Sequence, residues 1–186
     1  MKLRSAIAFV AALAVLGLPA FGADKATKQA ETDKAVQTAL DKFYQKQPAL
    51  KGEVQKAPGY AVFSSLGMSF LVGGSGGEGI AFDNKSHKKT YMEMAQASAG
   101  VQAGIQRRDL LIVFKTPAAL EHFVNKGWEF GAGGAVGAGA GSKGNVGAGS
   151  GEQFVNDALF YSLTEKGVEI GAGFQGTKFW KDKDLN

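Results

Sequence analysis

The chain has 186 residues, of which 45% are hydrophobic and 20% charged, so its composition is that of a globular protein rather than a disordered or coiled-coil one. It has no cysteine, which excludes disulfide frameworks, thiolate metal sites and cysteine nucleophiles, and its two histidines, His87 and His122, are too few for a multi-histidine metal site. The formal net charge of +4 is modest and does not by itself indicate a nucleic-acid partner. We therefore predict neither a metal nor a cofactor.

The first 22 residues are predicted to be a secretory signal peptide. A basic start at residues 2–4 precedes an uncharged apolar run at 6–18, and Pro19 ends this run before small residues suited to cleavage after residue 22. The alternative is an uncleaved anchor, although a spanning helix needs about 20 apolar residues. We expect an exported protein of the bacterial periplasm or outer-membrane surface, with a single mature domain at 23–186.

The mature chain is predicted to begin with two helices between residues 24 and 56. Helix formers dominate up to residue 47, and four apolar residues follow a helical spacing: Val36, Ala39, Leu40 and Phe43. Pro48 should end or kink this helix, and a short second helix is expected over 49–56. The apolar stripe either packs on the core or lies on a membrane surface. We favour the core, because the stripe is narrow.

Between residues 60 and 180 the pattern becomes mainly that of β-strands. Apolar and small residues alternate in four segments, which are 68–72, 97–105, 128–140 and 168–174. Glycine inside a strand indicates tight curvature or close approach of another backbone. The sequence thus predicts an α+β fold: a strongly curved, glycine-rich antiparallel sheet or small barrel, with N-terminal helices and one inserted helix.

The inserted helix and the strand before it carry separate signals. The run DLLIVF at 109–114 is apolar at successive positions, which predicts a strand buried on both faces. Thr116, Pro117 and Gly127 are suited to the N-cap, the first turn and the C-terminal cap of a helix.

Motifs for catalysis or nucleotide binding are weak. The pattern G-x-G-x-x-G occurs three times, beginning at Gly74, Gly139 and Gly171, but no helical pattern follows any of them, as a dinucleotide site requires. No residue stands out as a nucleophile. We predict a protein without enzymatic activity, and keep a hydrolase that uses Ser or Asp as an alternative.

Basic residues occur in two predicted loops. The first loop holds Lys85, His87, Lys88 and Lys89, and the second holds Arg107 and Arg108. If one strand runs between them, the two groups lie at its opposite ends. They are either solvated turns or contacts for anionic lipid head groups.

An ordered set of motifs resembles the SYLF domain, also called the Ysc84 or Las17-binding actin-regulator domain. The set comprises APGYAVF at 57–63, GGSGGEG at 73–79, TYMEM at 90–94, DLLIVF at 109–114 and FGAG at 130–133. The resemblance covers roughly residues 35–180, which is nearly all of the mature chain. Within the family, the chain is similar to the exported bacterial branch.

The resemblance implies a lipid-binding module. Eukaryotic members carry SH3 or FYVE domains and bind phosphoinositides and, in yeast, actin. This chain has a predicted signal peptide and no such partner domain, so we expect anionic phospholipids or a membrane surface as the partner, and neither actin nor nucleic acid. The alternative is a structural or membrane-inserted β-protein of the outer membrane, since alternating strands permit it.

Overall fold

The computed structural model describes residues 20–70, 74–97, 109–130, 136–137, 147–149, 152–155, 157–164, 167–171 and 176–186. Within these ranges there are three helices: α1 (Ala20–Lys46), α2 (Ala49–Lys56) and α3 (Pro117–Lys126). The same ranges contain eleven strands: β1 (Gly59–Phe70), β2 (Gly74–Asp83), β3 (Lys89–Ala97), β4 (Asp109–Phe114), β5 (Trp128–Phe130), β6 (Val136–Gly137), β7 (Gly147–Gly149), β8 (Glu152–Val155), β9 (Ala158–Thr164), β10 (Gly167–Ile170) and β11 (Thr177–Lys181).

The strands form a single curled antiparallel sheet, which confirms the predicted α+β fold. Its order is β6-β5-β11-β3-β2-β1-β4-β9-β8-β7, and β10 pairs with the last residues of β9. The central strands β3, β2, β1, β4 and β9 position the helices on both faces of the sheet, and the pairing of β1 with β2 shifts register between Ser64 and Met68.

Helices α1 and α2 cover one face of the sheet. The predicted stripe of α1 is buried there, and Phe43 has no solvent exposure. Leu50 and Val54 of α2 join this stripe in one apolar cluster with Val62, Leu111 and other residues of the strands below. The core alternative for the N-terminal helix is therefore confirmed. The helix begins at Ala20, four residues before the predicted start.

Helix α3 covers the opposite face and has the predicted ends. The Thr116 Oγ1 atom accepts a hydrogen bond from the Ala119 N–H at 3.2 Å, and Pro117 occupies the first turn. Gly127 ends the helix with φ +69°, a conformation that favours glycine. The second apolar cluster lies here and is rich in rings, among them Phe63, Phe114, Phe123, Trp128, Phe160 and Phe179.

Strand β4 separates the two apolar clusters. Leu110, Ile112 and Phe114 belong to the α3 side, whereas Leu111 and Val113 belong to the α1 side. All six residues of the strand are buried. The prediction of a strand buried on both faces is confirmed, because successive side chains point to opposite faces of a sheet.

One predicted strand is wrong. The segment 128–140 contains β5 and β6, which pair antiparallel with each other through Glu129 and Gly137, so the chain reverses between them. An alternation of small and apolar residues does not specify whether the chain continues or turns back. The predicted signal peptide up to residue 19 and the strand residues 71–72, 98–105, 131–135, 138–140 and 172–174 lie outside the described residues.

Candidate functional site

The turn between β2 and β3 is built around Asp83. The Asp83 Oδ1 atom accepts hydrogen bonds from the N–H groups of Lys85 (2.8 Å) and Ser86 (2.9 Å). These donors, the Ser86 N–H foremost, lower the pKa of the Asp83 carboxyl. His87 closes the turn with φ +57°, and the Asp83 N–H donates to the carbonyl of Lys88 at 3.0 Å. The backbone that carries these basic residues is therefore held in a defined conformation.

Asn84 fastens this turn to the end of α2. Its Nδ2 atom donates to the carbonyl oxygens of Val54 (2.7 Å) and Ala57 (2.9 Å), and its backbone N–H donates to Pro58 O at 3.0 Å. The amide satisfies carbonyls that the end of a helix leaves without partners. As a result, Lys56 in the last turn of α2 lies beside the β2–β3 turn.

A cleft of about 630 Å³ lies between this turn and α3, and we call it the turn–α3 cleft. Lysines 56, 85 and 88 line it together with the acidic side chains of Asp83 and Glu121. Its apolar lining comes from Pro58, Ala81, Leu120 and Val124. An apolar wall with a few charged groups at one end is the usual composition of a ligand site.

The three lysines of the cleft are available to a ligand. In the described part of the chain none of them forms an ion pair, whereas Lys42 and Lys115 are engaged by Asp109 (3.2 Å) and Glu53 (3.3 Å). Lys85 and Lys88 are also exposed at the tip of the turn. An anion at this place would not have to break an existing salt bridge.

Only part of the predicted basic loop lines the cleft. Lys85 and Lys88 line the cleft, but Lys89 points to the α1 side of the sheet, where its Nζ atom lies 3.2 Å from Asp33 Oδ2. The reason is the strand period: β3 begins at Lys89, and its neighbour Thr90 lines the cleft on the other face. His87 is exposed and does not line the cleft.

Lys56 and Asn84 were not among the site residues predicted from the sequence. The signal for Lys56 was its position at the end of a predicted helix, directly before the Ala-Pro-Gly break. Asn84 follows Asp83 in a predicted turn, but its partners lie 27 and 30 residues away, so no local pattern reveals them.

Arg107 and Arg108 lie outside the described residues. The strand that follows them begins at Asp109, which pairs with Ser64, whereas Gly59 at the start of β1 pairs with Asp83. Asp109 and the β2–β3 turn are therefore at opposite ends of the paired strands. The role predicted for the two arginines stays a prediction.

The second histidine has a structural partner. The Trp128 Nε1–H donates a hydrogen bond to His122 Nδ1 at 3.0 Å, and only 2% of Trp128 is exposed. The imidazole of His122 thus satisfies the hydrogen-bonding need of a buried indole.

Replacing His122 by leucine should lower the free energy of unfolding by about 1–3 kcal/mol, because the indole N–H would lose its acceptor. Denaturant titration followed by tryptophan fluorescence measures the change. His87→Asn is the control, since asparagine tolerates a positive φ and the turn is exposed. Equal stability of the two variants would show that water replaces the imidazole as acceptor.

Within the described ranges, none of the helices combines the length and the apolar character needed to cross a bilayer.

Comparison with known proteins identifies the family. The family model Ysc84, described as Las17-binding protein actin regulator, matches residues 95–186. Beta cell expansion factor A of Aeromonas veronii is 36% identical over 150 residues, which is 80% of this chain and 55% of that protein. The chain belongs to the Ysc84 (SYLF) family. The predicted resemblance is confirmed, and the motifs at 57–63 and 73–79 precede the part that the family model matches.

Vertebrate relatives of the Ysc84 family are more distant. SH3 domain-containing YSC84-like protein 1 of Homo sapiens and of Bos taurus is 28% identical over 137 residues, or 72% of this chain and 40% of the relative. The chain spans about half the length of the curated relatives it matches.

Proposed function

We propose that this Ysc84-family chain is a non-enzymatic, peripheral lipid-binding protein of the bacterial envelope, which contacts anionic, phosphoinositide-like head groups through its β2–β3 turn. The observation that carries the proposal is the convergence of Lys56, Lys85 and Lys88 on one cleft. These lysines come from two elements that Asn84 joins, and none forms an ion pair in the described part of the chain.

The expected electrostatic gain is large enough for peripheral binding. Each lysine near an anionic membrane surface contributes about 1 kcal/mol. Three lysines together would strengthen binding on the order of 100-fold. Because hydrogen bonds to Asp83 already order the turn, little conformational entropy is lost when it meets a phosphate.

The packing of the sheet favours a peripheral role over a structural, membrane-inserted one. Strand β4 is buried on both faces, by α1 and α2 on one side and by the α3 cluster on the other. The apolar side chains of this central strand therefore pack inside the protein rather than facing a bilayer. Phe43, the candidate for insertion from α1, is likewise inside.

Export to the envelope is part of the proposal and is supported by the N-terminal pattern of a basic start, an apolar run and small residues. The family description names Las17 binding and actin regulation. We do not extend actin binding to this chain, because an exported bacterial protein would not meet actin filaments in its own cell.

The basic turn is tested by co-sedimentation with vesicles. Replacing Lys85 and Lys88 together by alanine should weaken binding to phosphatidylglycerol-containing vesicles about tenfold or more, since two phosphate contacts are lost. The difference should shrink at high salt, because the Debye length falls from about 10 Å at 0.1 M to about 3 Å at 1 M.

The matched control removes the same charge elsewhere. Lys28 and Lys178 are exposed lysines of α1 and β11 that do not line the cleft. Their double replacement by alanine should leave vesicle binding close to that of the unaltered protein. If the two double variants lose the same amount of vesicle affinity, binding depends only on the net charge of the protein. That result would contradict the assignment of the β2–β3 turn as the binding surface. Protein that leaves the membrane fraction only with detergent would instead support membrane insertion.

A further inference from the structure

We propose that the turn–α3 cleft binds one anionic phospholipid molecule, with the phosphate at the lysines and the start of an acyl chain on the apolar wall. This inference rests on the proposed function and extends it from contact with a surface to recognition of a single lipid. Its basis is the combination in one concave site of apolar residues and lysines that form no ion pair with any residue that the structure describes.

The polar end of the cleft suits a phosphodiester. Lys56 belongs to the end of α2, whereas Lys85 and Lys88 belong to the β2–β3 turn, so two different elements supply the cations of the cleft. The Oδ1 atom of the nearby Asp83 carboxylate accepts hydrogen bonds from two backbone N–H groups, that of Ser86 foremost, and the charge of Lys85 also lowers the pKa of this carboxyl. A phosphate at this place would therefore share Lys85 with Asp83.

The apolar end of the cleft suits an alkyl chain. Leu120 and Val124 lie one turn apart on α3, and Pro58 and Ala81 face them from the sheet side. A volume of about 630 Å³ falls within the range of about 300–1,000 Å³ typical of small-molecule sites. Leu120 and Ala81 are almost fully buried, so the apolar surface offered to an alkyl chain comes mainly from the half-buried Pro58 and Val124.

The walls of the cleft are preformed. Helix α3 is capped by Thr116 and packs closely on the start of β1, where a Cβ built on Gly59 would lie 2.7 Å from Leu120 Cδ2. On the other side, Asn84 ties the turn to α2. A preformed site avoids the cost of ordering its walls when a ligand binds.

Calorimetric titration of the protein with short-chain lipids below their micelle concentration tests the inference. Dihexanoyl phosphatidylglycerol should bind at least about tenfold more tightly than glycerol 3-phosphate, a factor that two buried methylene groups supply. It should also bind about tenfold more tightly than dihexanoyl phosphatidylcholine, which has no net charge. Equal affinity for phosphatidylglycerol and either comparator would overturn the inference.

Variants of α3 locate the binding. Glu121→Gln removes an exposed carboxylate from the cleft and should strengthen binding of the short-chain phosphatidylglycerol about 2- to 5-fold. Val124→Glu should weaken it at least about tenfold, because it places a charge on the apolar wall. Lys126→Gln, on the same helix but outside the cleft, should change it less than about twofold. Melting curves show whether each variant is folded, and Glu121→Gln tests the site even if Val124→Glu does not fold.

The two proposals fail differently. If short-chain lipid does not bind but vesicle binding still depends on Lys85 and Lys88, the single-lipid site is wrong and the peripheral surface stands. If vesicle binding is also independent of these lysines, both are wrong. Unchanged short-chain affinity in both Glu121→Gln and Val124→Glu would place the ligand outside the cleft.

Discussion

Replacing Phe43 by alanine should lower the free energy of unfolding by about 3–5 kcal/mol, the cost of deleting a fully buried ring. Phe43 has no exposed surface and lies in the cluster that joins α1 to α2 and the sheet. The loss has two parts, the transfer free energy of the ring and the cavity left behind. Chemical denaturation of the variant and the unaltered protein measures it.

Gln45→Ala on the same helix is the control, because Gln45 is exposed and its replacement should change stability by less than about 0.5 kcal/mol. Vesicle binding is measured on the same samples. A Phe43→Ala protein that melts normally but no longer binds vesicles would assign the ring to the membrane and contradict the core that we describe.

Replacing Gly79 by alanine should destabilise the protein by about 1–3 kcal/mol through overpacking. A Cβ at this position would lie 2.5 Å from the carbonyl oxygen of Val62 and 2.7 Å from Cε1 of Phe63. The Phe63 ring is buried among other aromatic rings and has little freedom to move away. The glycine at this position of β2 therefore reflects close approach of neighbouring atoms, and the expected loss of stability opposes the poor strand propensity of glycine.

Gly52→Ala gives a control with the opposite sign. Gly52 lies inside α2, and no atom is within 4 Å of a Cβ built there. Alanine should raise stability by about 0.5–1 kcal/mol, since it favours helix over the flexible glycine. Thermal melts in which both variants are more stable than the unaltered protein would show that local propensity, not space, decides at both sites.

The cleft and the core explain how one small domain could meet a membrane without unfolding. The apolar stripe of α1 and the ring cluster under α3 are both internal, so neither has to leave the protein for binding. The lysines of the cleft lie on a turn and a helix end that are already ordered. Binding would thus use surface groups on a rigid support.

Local signals in the sequence were sufficient for the helices. Pro48 ended α1, and the Thr116 and Gly127 caps bounded α3, because each acts on backbone groups within one turn. The five apolar residues of β4 identified a strand buried on both faces for a similar reason. The hydrophobic pattern of a short segment reports the environment of that segment directly.

The division of the basic loop was decided by strand register. Lys88 and Lys89 are neighbours in sequence, yet Lys88 lines the cleft and Lys89 pairs with Asp33 of α1. Side chains one residue apart along a strand point to opposite faces of the sheet. The charge cluster in the sequence did not reveal where β3 begins, and the hairpin of β5 and β6 was missed in the same way.

The amino-acid sequence by itself determined the family, the α+β class, the helix ends other than the start of α1, and a basic β2–β3 turn, since these depend on residues close together in the chain. Tertiary structure alone decided that Lys56 joins Lys85 and Lys88, because Asn84 binds carbonyl groups 27 and 30 residues away. It also placed α3 opposite the turn to form the apolar wall of the cleft. Both arrangements require pairing between distant segments, whose geometry arises from the packing of the whole sheet.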